Sequence, residues 1–304
     1  MNNRFVSALA LTAALLPVGA ASAAEYSAAA TLGYAHSDLE GLELDTTSLD
    51  LSLDAQATEA LSFGIDVALS KSKPEDGEDF NLPSFMADME YRFGNGFSAG
   101  IYAERFTLDT DLLLGTDIDF DSYGVTAGYA RANYKVEAFY GETVTDPELD
   151  DVTIQDFGIL AAMAPNSQSS IAARYVRSNA ETDGTNEDWE AIELAGTYQI
   201  NDPWAVFAGA SFGQIDSLSL DVDTYGFGVS YNLDAVSEIP ATLSLELART
   251  TLDVDGYGGD ADTVRVGVTF PLGAGGAKLP LNSVAGAVQN GRHSALSSAA
   301  LAAF

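Results

Sequence analysis

Beyond residue 24 the chain alternates apolar and polar residues with a period of two, run after run. Such a period belongs to extended strands whose two faces meet different surroundings. In residues 97–103, Phe97, Ala99, Ile101 and Ala103 fall on one face, and Ser98, Gly100 and Tyr102 on the other. Leu243, Leu245 and Leu247 likewise interleave with Thr242, Ser244, Glu246 and Ala248, and Val264, Val266, Val268 and Phe270 with Thr263, Arg265, Gly267 and Thr269. Fourteen such runs can be marked, over about 26–36, 44–55, 61–71, 84–93, 97–107, 118–130, 134–143, 152–163, 170–178, 189–200, 204–214, 222–232, 241–251 and 261–270. A miscount of one hairpin would make them twelve or sixteen. The reading is all-β, as an up-and-down antiparallel barrel of about fourteen strands over residues 24–270.

The two faces differ in a way that a soluble sandwich does not require. Across the central spans the apolar face carries no charge, and Arg105, Arg177 and Arg249 fall toward strand ends. The opposite face carries Asp50, Asp54, Asp66, Asp88, Glu90, Arg92, Glu104, Lys135, Glu137, Asp156, Arg174, Glu193, Glu246 and Arg265. A charge facing lipid at mid-bilayer costs about 2–4 kcal/mol, which explains the segregation if the apolar face meets lipid and the charged face lines a lumen. In a sandwich the apolar faces would pack on each other. Aromatic residues gather near strand ends, among them Tyr91, Phe93, Phe97, Tyr129, Trp204 and Tyr231 at one side, as expected where rings settle at membrane interfaces.

The connections alternate as well. Short turns occur at Thr58-Glu59-Ala60, Gly94-Asn95-Gly96, Arg131-Ala132-Asn133 and Asn201-Asp202-Pro203. The other connections read as longer and acidic, among them residues 72–83, 108–117, 144–151, 179–188 and 252–260. Short turns facing the periplasm and long loops facing outward is the usual barrel arrangement.

Residues 1–23 read as a cleaved secretory signal: one charge at Arg4, an apolar run from Phe5, and Ala21-Ser22-Ala23 at the end. All 45 acidic residues lie between Ala24 and Phe270, with ten of the 13 basic ones. A body this acidic excludes nucleic-acid binding through phosphates and attracts cations. There is no cysteine, which excludes disulfides and thiol chemistry. Residues 271–304 form a tail with Lys278 and Arg292 and no acid. It is expected on the periplasmic side, with a short helix over 294–304; being basic beneath an acidic lumen, it is also able to enter the lumen as a plug.

With alternation, loop asymmetry and the closing pattern Val264, Val266, Val268, Phe270 in view, the chain resembles the Gram-negative outer-membrane porins, particularly the small porins of Rhodobacter-like alphaproteobacteria. The resemblance implies an outer-membrane location, contacts with outer-membrane lipid and lipopolysaccharide, handling by the barrel-assembly machinery and, on this ground alone, a homotrimer. It also implies a constriction by the third external loop, here residues 108–117. Asp109, Asp111 and Asp117 would then face bases drawn from Arg92, Lys135, Arg174 and Arg265.

Pore-lining candidates are therefore Asp66, Asp88, Glu90, Arg92, Glu104, Asp109, Asp111, Asp117, Lys135, Glu137, Arg174, Glu193, Glu246 and Arg265. Acidic walls favour cations. The function read from these residues is passive diffusion of ions and small hydrophilic solutes through a cation-favouring pore, without a cofactor. The alternative is a closed or plugged barrel with a surface-structural or adhesion role. An enzyme is not expected: His36 beside Ser37 is the barrel's single histidine, and a nucleophile–base pair needs spatial contact. Asp253, Asp255, Asp260 and Asp262 have the oxygen-rich character of a weak divalent-cation loop but no closing glutamate.

Overall fold

The computed structural model describes residues 25–39, 41–75, 77–108, 117–147, 152–182, 185–215, 219–254, 257–273 and 279–303. The signal segment lies outside them. Fourteen strands are present among these residues: β1 (Glu25–Leu39), β2 (Leu42–Gln56), β3 (Leu61–Pro74), β4 (Phe80–Arg92), β5 (Phe97–Leu108), β6 (Ile118–Arg131), β7 (Tyr134–Asp146), β8 (Val152–Asn166), β9 (Ser169–Thr182), β10 (Thr185–Gln199), β11 (Trp204–Ile215), β12 (Leu220–Asn232), β13 (Thr242–Val254) and β14 (Tyr257–Gly273). Each pairs antiparallel with the next, and β1 closes on β14, with Thr31 opposite Thr269. Closure leaves no strand edge, so every spanning backbone group is satisfied inside the wall. No helix among the described residues is long and apolar enough to cross a membrane.

The period of two converts directly into inside and outside. On β5, Phe97 and Ile101 are 55% and 52% exposed to the surroundings, whereas Tyr102, Glu104 and Phe106 are buried within the barrel. At the end holding Glu25 and Gly273, aromatic pairs ring the outer surface: Phe97 with Tyr129 at 4.9 Å between centroids, and Trp204 with Tyr231 at 4.6 Å. We call this the terminal end and the opposite one the distal end.

Three of the expected distal loops are mostly strand. β9 and β10 run to Thr182 and from Thr185, β13 and β14 to Val254 and from Tyr257, and β3 and β4 to Pro74 and from Phe80. The acids that suggested solvated loops are held across these strands or at their ends. Arg249 Nε donates to Asp262 Oδ1 at 2.7 Å, Arg177 Nε to Asp188 Oδ1 at 3.1 Å, and Lys71 Nζ lies 2.7 Å from Asp79 Oδ2. Strands of 12–17 residues exceed the roughly 9–11 that a tilted strand needs to span, so the wall continues past the hydrocarbon layer as a charge-paired collar. At the terminal end, the connection from β12 to β13 is longer than its neighbours and holds a 3₁₀ turn at Leu233–Ala235, begun by Asn232.

The tail departs most from expectation. β14 continues to Gly273 rather than stopping at Phe270, and residues 279–303 lie inside the barrel instead of beneath it. They form α1 (Val284–Gln289), capped by Ser283 whose hydroxyl accepts from the Gly286 N–H at 2.9 Å, and α2 (Ala295–Ala303). Val284, Ala285 and Val288 are wholly buried; Ala285 and Val288 pack with Ala172, Ala195 and Phe207 of the wall, and Val284 faces Gly226. The physical cause is the tail's composition: small and apolar residues with exposed helix termini fit a lumen that supplies both bare backbone and charged partners.

Candidate functional site: the lumen and the segment that fills it

The wall admits α1 and α2 because small residues face them. A Cβ placed on Gly209 would stand 2.5 Å from the Ala285 nitrogen, and one on Gly213 would stand 3.2 Å from the Ala299 Cβ. The first distance leaves no room for a side chain, and the second is a close contact that a small shift would relieve. Elsewhere glycines make room for aromatic rings instead: Gly141 and Gly124 face Tyr102, and Gly158 faces Phe139.

Charged wall residues then bind the ends of the two helices. Glu246 lies at the start of α1, where the Val284 N–H donates to its Oε1 at 3.2 Å. Arg265, held to Glu246 at 3.0 Å, donates from Nη2 to the Ala303 carbonyl at 2.9 Å, at the end of α2. Carboxylate at a helix start and guanidinium at a helix end match the sign of the helix dipole. Glu104 receives the His293 N–H at 2.9 Å and the Ser297 hydroxyl at 2.6 Å. Arg174 bonds Glu193 at 2.9 Å and Ser298 Oγ at 3.1 Å. Ser178 accepts from the Ala295 N–H at 3.0 Å and itself donates to Asp156, which also receives Thr143.

His293 stacks on Tyr102, with centroids 3.6 Å apart, and meets Phe139 edge-on. Its Nδ1 is 3.7 Å from Glu104 Oε2, beyond hydrogen-bond reach, and burial holds the imidazole below its ordinary pKa despite that carboxylate. Several buried polar atoms at this interface, Arg292 Nε and Nη1 and Arg174 Nη2 among them, make no hydrogen bond to another protein group. The fit between segment and wall is therefore polar, but protein groups alone do not close it.

The predicted lining residues divide into two groups. Glu104, Arg174, Glu193, Glu246 and Arg265 form the clasp just described. Asp66, Asp88, Glu90, Arg92, Lys135 and Glu137 line a polar cavity of about 270 Å³ beside His293. There Arg92 bonds Glu90 at 2.8 Å, and Lys135 lies 3.0 Å from Glu137. Asp117 is exposed just before β6, and Asp109 and Asp111 lie outside the described residues, as does most of the loop expected to constrict the lumen. Among the described residues, the segment filling the lumen is the tail. His293, Ser297 and Ser298, which dock it, were not among the residues picked from sequence; the polar positions 293, 294, 297 and 298 in an otherwise Ala- and Leu-rich stretch were the available signal.

His36 and Ser37 point to opposite sides of the wall. His36 Nδ1 is 2.9 Å from Asp45 Oδ1, while Ser37 Oγ is 2.8 Å from Thr263 Oγ1. Asp260 and Asp262 are engaged by Thr251 and Arg249, and Asp255 lies outside the described residues.

A sequence-family model described as Gram-negative porin matches residues 16–218. The chain is a member of that family. Two solved structures with the same fold are an anion-selective porin from Comamonas acidovorans (10% identity, covering 82% of this chain and 100% of that one, TM-score 0.52) and the CymD monoaromatic hydrocarbon channel (13% identity, covering 82% and 89%, TM-score 0.51). At these identities they speak to the barrel alone. No curated protein matches this porin by sequence. As a porin its place is the outer membrane, which orients the molecule: the terminal end faces the periplasm and the distal end faces outward.

If the clasp holds the tail in place, weakening it should show at Arg292, which is buried. Glu104→Gln removes a charged acceptor worth about 1.5–3 kcal/mol. Trypsin cleavage after Arg292 in the folded porin should accelerate by roughly tenfold or more. An unchanged rate would mean that Glu104 does not hold the segment.

Proposed function

We propose that this porin passes ions and small hydrophilic solutes passively, that its pore favours cations, and that residues 279–303 act as its own gate. The observation that carries the selectivity is the pairing on the inner wall. Each of the four inner bases is matched to a neighbouring carboxylate: Arg92 to Glu90, Lys135 to Glu137, Arg174 to Glu193 and Arg265 to Glu246. Asp50, Asp54, Asp66, Asp88, Glu104 and Asp156 have no such wall base, so a lumen without the tail keeps a net negative wall. Such a wall raises the local concentration of cations and repels anions. Gating is supported by the polar make-up of the clasp, whose charged and hydroxyl groups water can solvate once the two surfaces part. We read the protein as a non-enzymatic channel, and His36 and Ser37, on opposite faces, support this.

The reversal potential tests the selectivity. In a potassium chloride gradient across a planar bilayer, open channels should shift toward the potassium equilibrium potential. A shift toward the chloride potential would overturn cation preference. A second reading, a permanently filled barrel with a surface-structural role, is favoured by the complete burial of Val284, Ala285 and Val288. Folded protein that never conducts, even with the tail displaced, would establish it.

A further inference from the structure

The outer mouth of the lumen does not share the polarity of the wall below it. Inward positions there are apolar: Leu39 on β1, Leu44 on β2, Phe80 on β4, Ile215 on β11, Leu220 on β12 and Leu252 on β13. These are strand ends beside acidic connections, where an ordinary aqueous entrance would gain nothing from leucine. Part of this collar is covered from within. Leu82, Phe106 and Phe120 form a buried cluster against which Leu296 and Ala300 of α2 pack. The rest encloses a cavity of about 470 Å³, floored by the α2 residues Leu296, Ala299, Ala300 and Ala303 and bordered by Trp189. The one charged side chain among its described lining residues, Glu190, has Arg177 Nη1 3.4 Å away.

We propose that this cavity is a binding site for small, uncharged, apolar molecules, aromatic or alicyclic in size. Its volume lies within the range of small-molecule pockets, about 300–1,000 Å³. Its walls are strands whose backbone groups are already paired around a closed barrel, so an added peptide strand finds no edge. The lining argues against anionic amphiphiles. Its described residues include no base, and its one charged group is the carboxylate of Glu190. A carboxylate-bearing ligand would lose its hydration there with no cation of the lining to receive it, whereas an uncharged one gains from leaving water. The site does not depend on the gate opening, because its floor is the docked α2.

The chain has two tryptophans, Trp189 at the cavity and Trp204 on the outer surface at the terminal end, which makes the test direct. Full-length Trp204→Phe porin in detergent is titrated with bromobenzene, a heavy-atom quencher, and separately with 4-bromobenzoate. Trp189 emission should fall saturably with bromobenzene, and bromobenzoate should give no saturable phase. In the same background, Val222→Phe or Leu252→Phe, each adding bulk to the lining, should raise the half-quenching concentration by about tenfold or more. Far-UV circular dichroism identifies any variant that does not fold, and the two substitutions are independent of each other. Linear, unsaturable quenching equal to that of Trp204 in a Trp189→Phe protein would mean partition into detergent only and would overturn the proposal. So would equal quenching by bromobenzene and bromobenzoate, or saturable quenching that neither filled variant alters.

Discussion

A porin carrying Gly213→Cys and Ala299→Cys should fall silent in planar bilayers when oxidised and conduct again when reduced. The geometry makes this a demanding test. A Cβ on Gly213 stands 3.2 Å from that of Ala299, close to the roughly 3.5–4.5 Å between Cβ atoms in disulfides. The native chain has no cysteine, so no other pairing competes. Gly213 belongs to the wall and Ala299 to α2, so the bond fixes the segment to the barrel without crossing any strand pairing. Conductance that persists unchanged after complete oxidation would show that ions pass with the tail docked, and the gate would be discarded.

The opposite manipulation should open the channel. In Gly209→Leu the new side chain meets the backbone of Val284 and Ala285 at 2.5–2.7 Å from its first carbon. Backbone cannot step aside as a flexible side chain can. Overpacking typically costs about 1–3 kcal/mol, which shifts the balance of docked and released tail by roughly five- to 150-fold. The β11 pairing to β10 and β12 is untouched, because the leucine projects into the lumen. Open probability should rise accordingly, and so should proteolysis after Arg292. A variant that folds yet keeps the parent's conductance and protease resistance would place the tail's role elsewhere. The two variants bracket the reading: one removes the released state, the other the docked one.

The barrel was legible because alternation is a local signal with a direct physical cause. Phe97, Ile101 and Leu247 point outward and Glu104, Glu193 and Glu246 inward, as their spacing demands. Loop lengths were less legible. Asp188 and Asp262 look like loop residues until their partners Arg177 and Arg249 are brought opposite them by register, which composition does not reveal. The clasp was half legible. Glu104, Arg174, Glu193, Glu246 and Arg265 were recognised as facing the lumen, but their role depends on residues up to 193 positions away, as between Glu104 and Ser297. The tail's basic charge beneath an acidic lumen made entry as a plug conceivable, but its helices are short and only modestly amphipathic, so their partners inside the wall were not visible locally. The apolar mouth was visible as residues, Leu39, Leu44 and Leu220 among them, but not as a ring, since a ring exists only after the barrel closes.

Only residues 274–278 separate the last strand from the lumen-filling segment. That proximity makes the tail an intramolecular ligand. A short tether confines such a ligand to an effective concentration in the millimolar range. A contact that would be feeble between separate molecules, with a dissociation constant of about 100 μM, would still be occupied most of the time at such a concentration. A clasp that protein groups alone do not close around Arg292 and Arg174 is therefore compatible with a filled lumen at rest. The same tether means that a free peptide of this sequence would have to reach millimolar levels to compete with the attached one.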